Sequence, residues 1–160
     1  MKKLMLSIVA LWIIVLAVSC ATKSANSQDD PLEPGSPEMS AALGEVYNDY
    51  DDLLNLTGAA KYTVVRGDDL SHIAAVQYGK DNAYFFPIIM LASKNTVIDP
   101  DLLEPGMELI IPDLNINLSD DKIKRGIKKF LNDIADVYSR KQDNWASVTE
   151  ANLQALANNL

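Results

Sequence analysis

Tyr62-Thr63-Val64-Val65-Arg66-Gly67-Asp68-Asp69-Leu70 opens a segment, residues 61–112, in which strand and helix signals alternate. Tyr62, Thr63, Val64 and Val65 are β-formers, and Arg66-Gly67-Asp68 is a turn. Asp69 is placed to cap a helix that presents Leu70, Ile73, Ala74 and Tyr78 to one side and stops at Gly79. Pro87 suits the first turn of a second helix reaching about Lys94, where its missing N–H costs nothing. A loop through Asp99-Pro100-Asp101 and a turn at Pro105-Gly106 lead to a second strand, Glu108-Leu109-Ile110-Ile111, halted by Pro112. The expected class is α+β, with two strands enclosing two helices.

Read together, Tyr62-Thr63-Val64, Gly67-Asp68-Asp69-Leu70, Ile73-Ala74, Tyr78-Gly79, Pro105-Gly106 and Leu109-Ile110-Ile111-Pro112 resemble the LysM domain. Lys80-Asp81, Phe86-Pro87 and Asp99-Pro100-Asp101-Leu102-Leu103 resemble its variety with a long inter-helix loop. The resemblance implies a βααβ module over residues 61–113, its two strands antiparallel and both helices on one face. It implies non-catalytic binding of N-acetylglucosamine glycan, which for an exported bacterial protein means peptidoglycan. The family's sugar groove maps onto Gly67, Asp68, Asp69 and Leu70 on one wall and Thr96, Val97 and Ile98 on the other. Gly67 would let backbone approach the sugar, loop N–H and C=O groups would meet its acetamido group, and Val97 or Ile98 would cover an apolar face. Three positions depart from the family pattern: Asp69 replaces a common Thr, Ser71 stands where Trp is frequent, and Ser93 stands where Asn often ends the second helix. The alternative is a scaffold lipoprotein that holds protein partners through its helices and keeps LysM only as a fold.

Residues 1–19 read as an export signal, with Lys2 and Lys3 ahead of an apolar run. That run of about fifteen residues is shorter than the roughly 20 a spanning helix needs. Leu16-Ala17-Val18-Ser19-Cys20 resembles the lipobox of bacterial lipoproteins, with Ala17 where Leu is usual. The resemblance implies cleavage before Cys20, then diacylglycerol and a fatty acid on Cys20 as the membrane anchor; no other cofactor is expected. The other reading of Cys20 is an ordinary thiol, although it is the chain's single cysteine. Ala21 and Thr22 follow it in place of a retention-type aspartate, which favours the outer membrane facing the periplasm. Residues 20–35 are polar and carry two prolines, and read as a flexible tether.

Helical signals flank the module. Residues 36–57 open with Ser36-Pro37-Glu38 and carry a stripe of Met39, Leu43, Val46, Tyr47, Tyr50, Leu53 and Leu54. Residues 119–160 carry a second stripe, Ile123, Ile127, Phe130, Leu131, Ile134, Val137 and Tyr138. A shorter helix follows from Ser147, with Ser147 and Glu150 as a capping box and Trp145, Val148, Leu153 and Leu156 inward. Between the flanks, residues 85–92 are apolar on every face, so either these helices cover the second LysM helix or a partner protein or second copy docks there.

Removing Lys2 and Lys3 would leave the mature chain two units more negative than the formal −8 of the full sequence, which argues against nucleic acid as a partner. Asp99, Asp101 and Glu104 lack the remainder of a calcium loop and read as turn and capping residues. His72 has no nucleophile and carboxylate set around it, and the segments outside the module are too short for a hydrolase; no catalytic or metal residues are expected.

Overall fold

The computed structural model describes residues 30–160. The residues read as an export signal, Cys20 and the first part of the expected tether lie outside the described residues. Among those described, six α-helices surround one two-stranded sheet.

Strand β1, Ala60–Thr63, pairs antiparallel with β2, Glu108–Ile111, setting Tyr62 opposite Leu109 and Lys61 opposite Ile110. Between them run α2, Leu70–Tyr78, a 3-10 stretch at Lys80–Phe85, and α3, Phe86–Ala92. The order is the expected βααβ. Before the sheet comes α1, Pro37–Asn48, and after it α4, Leu114–Ser119, α5, Asp121–Arg140, and α6, Ala146–Asn159.

The core is continuous from module to flanks. Phe86, Ile88, Ile89, Met90 and Leu91 of α3 are all buried, as are Ile127, Phe130, Leu131 and Ile134 of α5 and Leu43 and Tyr47 of α1. Each such side chain contributes about 1.5–3 kcal/mol by leaving water. Phe86 meets Tyr138 edge-on at 6.1 Å, so α5 covers the face of α3 that the small sheet leaves bare. The all-apolar segment is therefore core, and the docking face considered for it is already occupied. Leu131 and Leu153, both fully buried, are likewise absorbed between α5 and α6.

Several expectations are corrected. Helix α1 stops at Asn48, although its stripe runs on to Leu54. Asp49, Asp51 and Asp52 crowd its C-terminal end, where the helix dipole is negative and carboxylates are unfavourable. The chain leaves in tight turns, with the Tyr50 N–H bonded to the Tyr47 carbonyl and that of Leu53 to the Tyr50 carbonyl. Leu53 then lies over Gly126 of α5, where a Cβ would come within 2.2 Å of its Cδ1. The long C-terminal helix is preceded by a separate one, α4, capped by the Asp113 carboxylate on the Ile116 N–H at 3.0 Å. The start of α5 is Asp120, whose side chain accepts from Lys122 and Ile123.

Helix α6 begins at Ala146, ahead of the expected Ser147 cap, and Asp143 accepts the Trp145 N–H at 2.6 Å instead. The shift turns Trp145, 74% exposed, and Val148 to solvent, while Ala146, Leu153 and Ala157 face α5. The small alanines let the two helices approach closely. Finally, the last residues of the expected tether are docked. Leu32 is buried, its N–H bonds to the Arg140 carbonyl and its own carbonyl accepts from Gln142, both at 2.8 Å. It is the one large apolar side chain in residues 21–35, and it satisfies a terminal carbonyl that α5 cannot satisfy itself.

Candidate functional site

The first expected wall is built where β1 hands over to α2. Val64 closes the strand pair, donating to the Met107 carbonyl at 2.9 Å and accepting from Gly106 at 2.8 Å. The chain then turns, with Asp68 Oδ2 accepting both the Val65 N–H at 2.9 Å and the Tyr62 hydroxyl at 2.8 Å. Gly67 takes φ +95°, a backbone region costly for any L side chain, yet a Cβ there would touch nothing within 4 Å. The loop is therefore open to close approach. The N–H groups of Gly67, Asp69 and Leu70 make no hydrogen bond among the described residues and lie at the positive end of α2.

Asp69 is exposed, but its carboxylate is engaged: it accepts from the His72 N–H at 2.8 Å and from the Ser71 hydroxyl at 2.6 Å. Burial pushes its pKa up, and the Ser71 and His72 bonds more than reverse that, leaving it below the ordinary aspartate value. The residue thus caps α2 and keeps its charge. Leu70 turns inward at 3% exposure and offers a ligand only backbone. His72 is exposed on α2.

The second wall follows α3. The N–H groups of Thr96 and Val97 both bond to the Ser93 carbonyl, at 2.7 and 2.9 Å, curling the chain back on the helix end. Val97 is buried, whereas Thr96 and Ile98 are exposed and present hydroxyl, methyl and aliphatic surface. The Ile98 carbonyl is taken by the Tyr47 hydroxyl at 2.9 Å, leaving those of Thr96 and Val97 as the wall's acceptors. Of the seven residues assigned from the sequence, Gly67, Asp68, Asp69, Thr96 and Ile98 are thus at least partly at the surface, and Leu70 and Val97 are core.

Three supports of this wall come from residues that the sequence did not single out for the site. Tyr47 of α1 holds Ile98, Asp51 forms an ion pair with Lys94, and Lys141 binds Asp101. Lys141 Nζ lies 2.8 Å from carboxylate oxygens of both Asp101 and Asp143. Burial alone would lower its pKa, but the two carboxylates raise it above the ordinary lysine value. Asp99, fully buried, accepts the Asp101 N–H at 2.9 Å, while its other oxygen has no protein partner. Burial pushes its carboxyl up. The acidic loop therefore has a lysine as its counter-ion. No local pattern links Tyr47, Asp51 or Lys141 to it, because each lies outside the module in sequence.

A cavity of about 290 Å³ lies at the opposite end of the strand pair, lined by Gly58, Ala60, Gln77, Tyr78, Asp113 and Asn115 among others. It does not join the two walls. Among the described residues no cluster of His, Cys, Asp and Glu could hold a metal, and no helix is long and apolar enough to cross a membrane.

An open pair of loops that offers backbone donors on one side and carbonyls on the other is suited to a neutral amide-bearing ligand. Residues 62–112 match the LysM domain family, so the chain carries a LysM domain. Over 56 residues it is 43% identical to an uncharacterized protein of Deinococcus radiodurans, covering 35% of this chain and 21% of that protein. The chain thus spans about a fifth of that relative's length. No solved structure matches it.

Proposed function

We propose that this protein is a non-catalytic envelope lipoprotein that binds peptidoglycan through its LysM domain and links a membrane to the cell wall. LysM is a module for N-acetylglucosamine glycans. The observation that carries the reading is the Gly67 loop, where three unengaged N–H groups surround an open glycine with positive φ. These donors suit the carbonyl of an acetamido group, and the methyls of Thr96 and Ile98 suit its apolar side.

Diacyl and acyl groups on Cys20 supply the membrane end of this reading; two or more chains give a stable anchor. With Leu32 docked at the end of α5, twelve residues from Cys20 separate anchor and fastening point, a maximum span of roughly 40 Å. The scaffold alternative loses the Leu131 and Leu153 stripes, which are buried inside the chain. Sedimentation of the full chain with purified peptidoglycan tests the glycan half. Retention lost in Gly67→Val, where both φ and open approach are spoiled, is expected; wild-type protein left in the supernatant refutes it. A fatty-acid probe that labels wild type and Cys20→Ala equally refutes the anchor.

A further inference from the structure

The second wall of the groove is not self-supporting. Its own module fixes it where it leaves α3, through the Ser93 carbonyl, and again at Asp99, whose carboxylate accepts the Asp101 N–H, but leaves Ile98 without a bond of its own. Beyond Val97 the backbone makes no further main-chain bond until the Leu102 N–H reaches the Asp99 carbonyl at 3.0 Å. The span between them carries Ile98, one of the two exposed apolar contacts proposed for the sugar.

Two contacts from outside the matched residues 62–112 hold this span in its middle and at its end, and a third holds the turn that leads into it. Asp51, in the turn after α1, pairs with Lys94. The hydroxyl of Tyr47, whose ring is buried on α1 and tilted against Phe130 at 6.2 Å, binds the Ile98 carbonyl. Lys141, its side chain 6% exposed at the end of α5, grips Asp101. These anchors come from separate parts of the flanking chain: Tyr47 is buried on α1 in the helical core, and Lys141 caps the C-terminal end of α5.

We infer that the flanking helices form part of the glycan site, with Tyr47 as the positioning residue that fixes the Ile98 wall through its carbonyl, assisted by Asp51 and Lys141. The inference rests on the glycan-binding reading of the same groove. Tyr47 touches no sugar. It holds a wall that would otherwise have to be ordered at the moment of binding, and ordering on binding weakens affinity. Because Ile98's carbonyl is already engaged, that wall recognises its ligand through side chains and through the Thr96 and Val97 carbonyls.

The test compares the full-length protein in detergent with its Tyr47→Phe and Ile127→Val variants. Ile127 is a fully buried α5 residue outside the module and outside the three contacts to the wall, so its variant controls for global destabilisation. Titration with the N-acetylglucosamine tetramer is expected to show binding weakened by about fivefold or more in Tyr47→Phe and unchanged in Ile127→Val. Without sugar, the Val97 amide is expected to exchange about tenfold faster in Tyr47→Phe than in Ile127→Val. If wild type and Tyr47→Phe bind equally well, or if Ile127→Val weakens binding as much, the positioning role is overturned. If wild type ignores the tetramer while Tyr47→Phe still frees the Val97 amide, the glycan reading falls and the support of the wall stands.

Discussion

Replacing Ser93 by Ala isolates the contact that joins α3 to the sheet. Strand β2 bonds to β1 along one edge, and at Ile110 the N–H and C=O point the other way. Ser93, 2% exposed, accepts that N–H at 2.8 Å and directs its hydroxyl to the Ile110 carbonyl at 3.4 Å. The second contact is too long to matter much. Removing the hydroxyl leaves a half-buried N–H unpaired, which costs about 1–3 kcal/mol, and we expect about 2. In urea, with a slope of roughly 1.5–2 kcal/mol/M for a chain of this size, the midpoint should fall by about 1 M at unchanged slope. Hydrogen exchange at Ile110 should quicken beyond the global change, since it loses its specific acceptor. A midpoint shift below about 0.3 M would mean that water or backbone replaces the serine, and the tie would carry no weight.

Asp69→Ala should cost about 1 kcal/mol at pH 7, the usual worth of an N-cap. Its folded pKa lies below the ordinary 3.8, so this stability is present above that value and fades as pH falls through the folded one; urea midpoints at pH 7 and pH 3 should show the penalty shrinking. Asp99 runs the opposite way, because burial raises its folded pKa and charging it opposes folding as pH rises through that value. Asp99→Asn keeps an acceptor for the Asp101 N–H and should raise stability at pH 7 by roughly 1 kcal/mol; a gain that persists below pH 3.8 would refute the assignment. Asn117→Leu should cost about 3 kcal/mol or more in urea unfolding. It strips the Asn55 N–H and carbonyl, on an exposed turn, of partners at 2.8 and 2.9 Å supplied by a fully buried side chain, and puts an apolar group among the polar atoms that hold it; a loss under 1 kcal/mol would show that the clamp is dispensable.

What the sequence disclosed follows from the range of the forces involved. The sheet, α2 and α3 were legible because their signals are local: Asp69 ahead of Leu70, Gly79 behind Tyr78, Pro87 in a first turn. The limits of α1 and α6 were not. At α1 a continuing apolar stripe lost to a run of aspartates at the negative end of the dipole. At α6 an attractive Ser147 and Glu150 pair lost to Asp143, two residues before Trp145. Helix α4 had a usable signal in Pro112-Asp113, but its weight lies in Asn117, whose partners at Asn55 are distant in the chain. The Gly67 loop was legible because a turn glycine is a local requirement, whereas the supports of the opposite wall required the tertiary fold.

The departures from the family pattern also acquire a physical meaning. Asp69 uses one carboxylate oxygen as a cap, accepting from both the Ser71 hydroxyl and the His72 N–H, so the two substitutions at positions 69 and 71 act as one capping unit. Ser93 ties α3 to β2 while its own carbonyl turns the chain into the second wall. The second wall therefore starts from a helix end whose polar groups are satisfied within the module, whereas the first leaves the Gly67, Asp69 and Leu70 N–H groups open, and only the far span of the second needs help from outside the module. Coupling of this kind is reciprocal: if the helices set the wall for a sugar, a bound sugar must stabilise the helices by the same free energy. In a protein proposed to bridge membrane and wall, α5 is also where Leu32 is fastened, so the path from Leu32 to the groove runs through one packed helix.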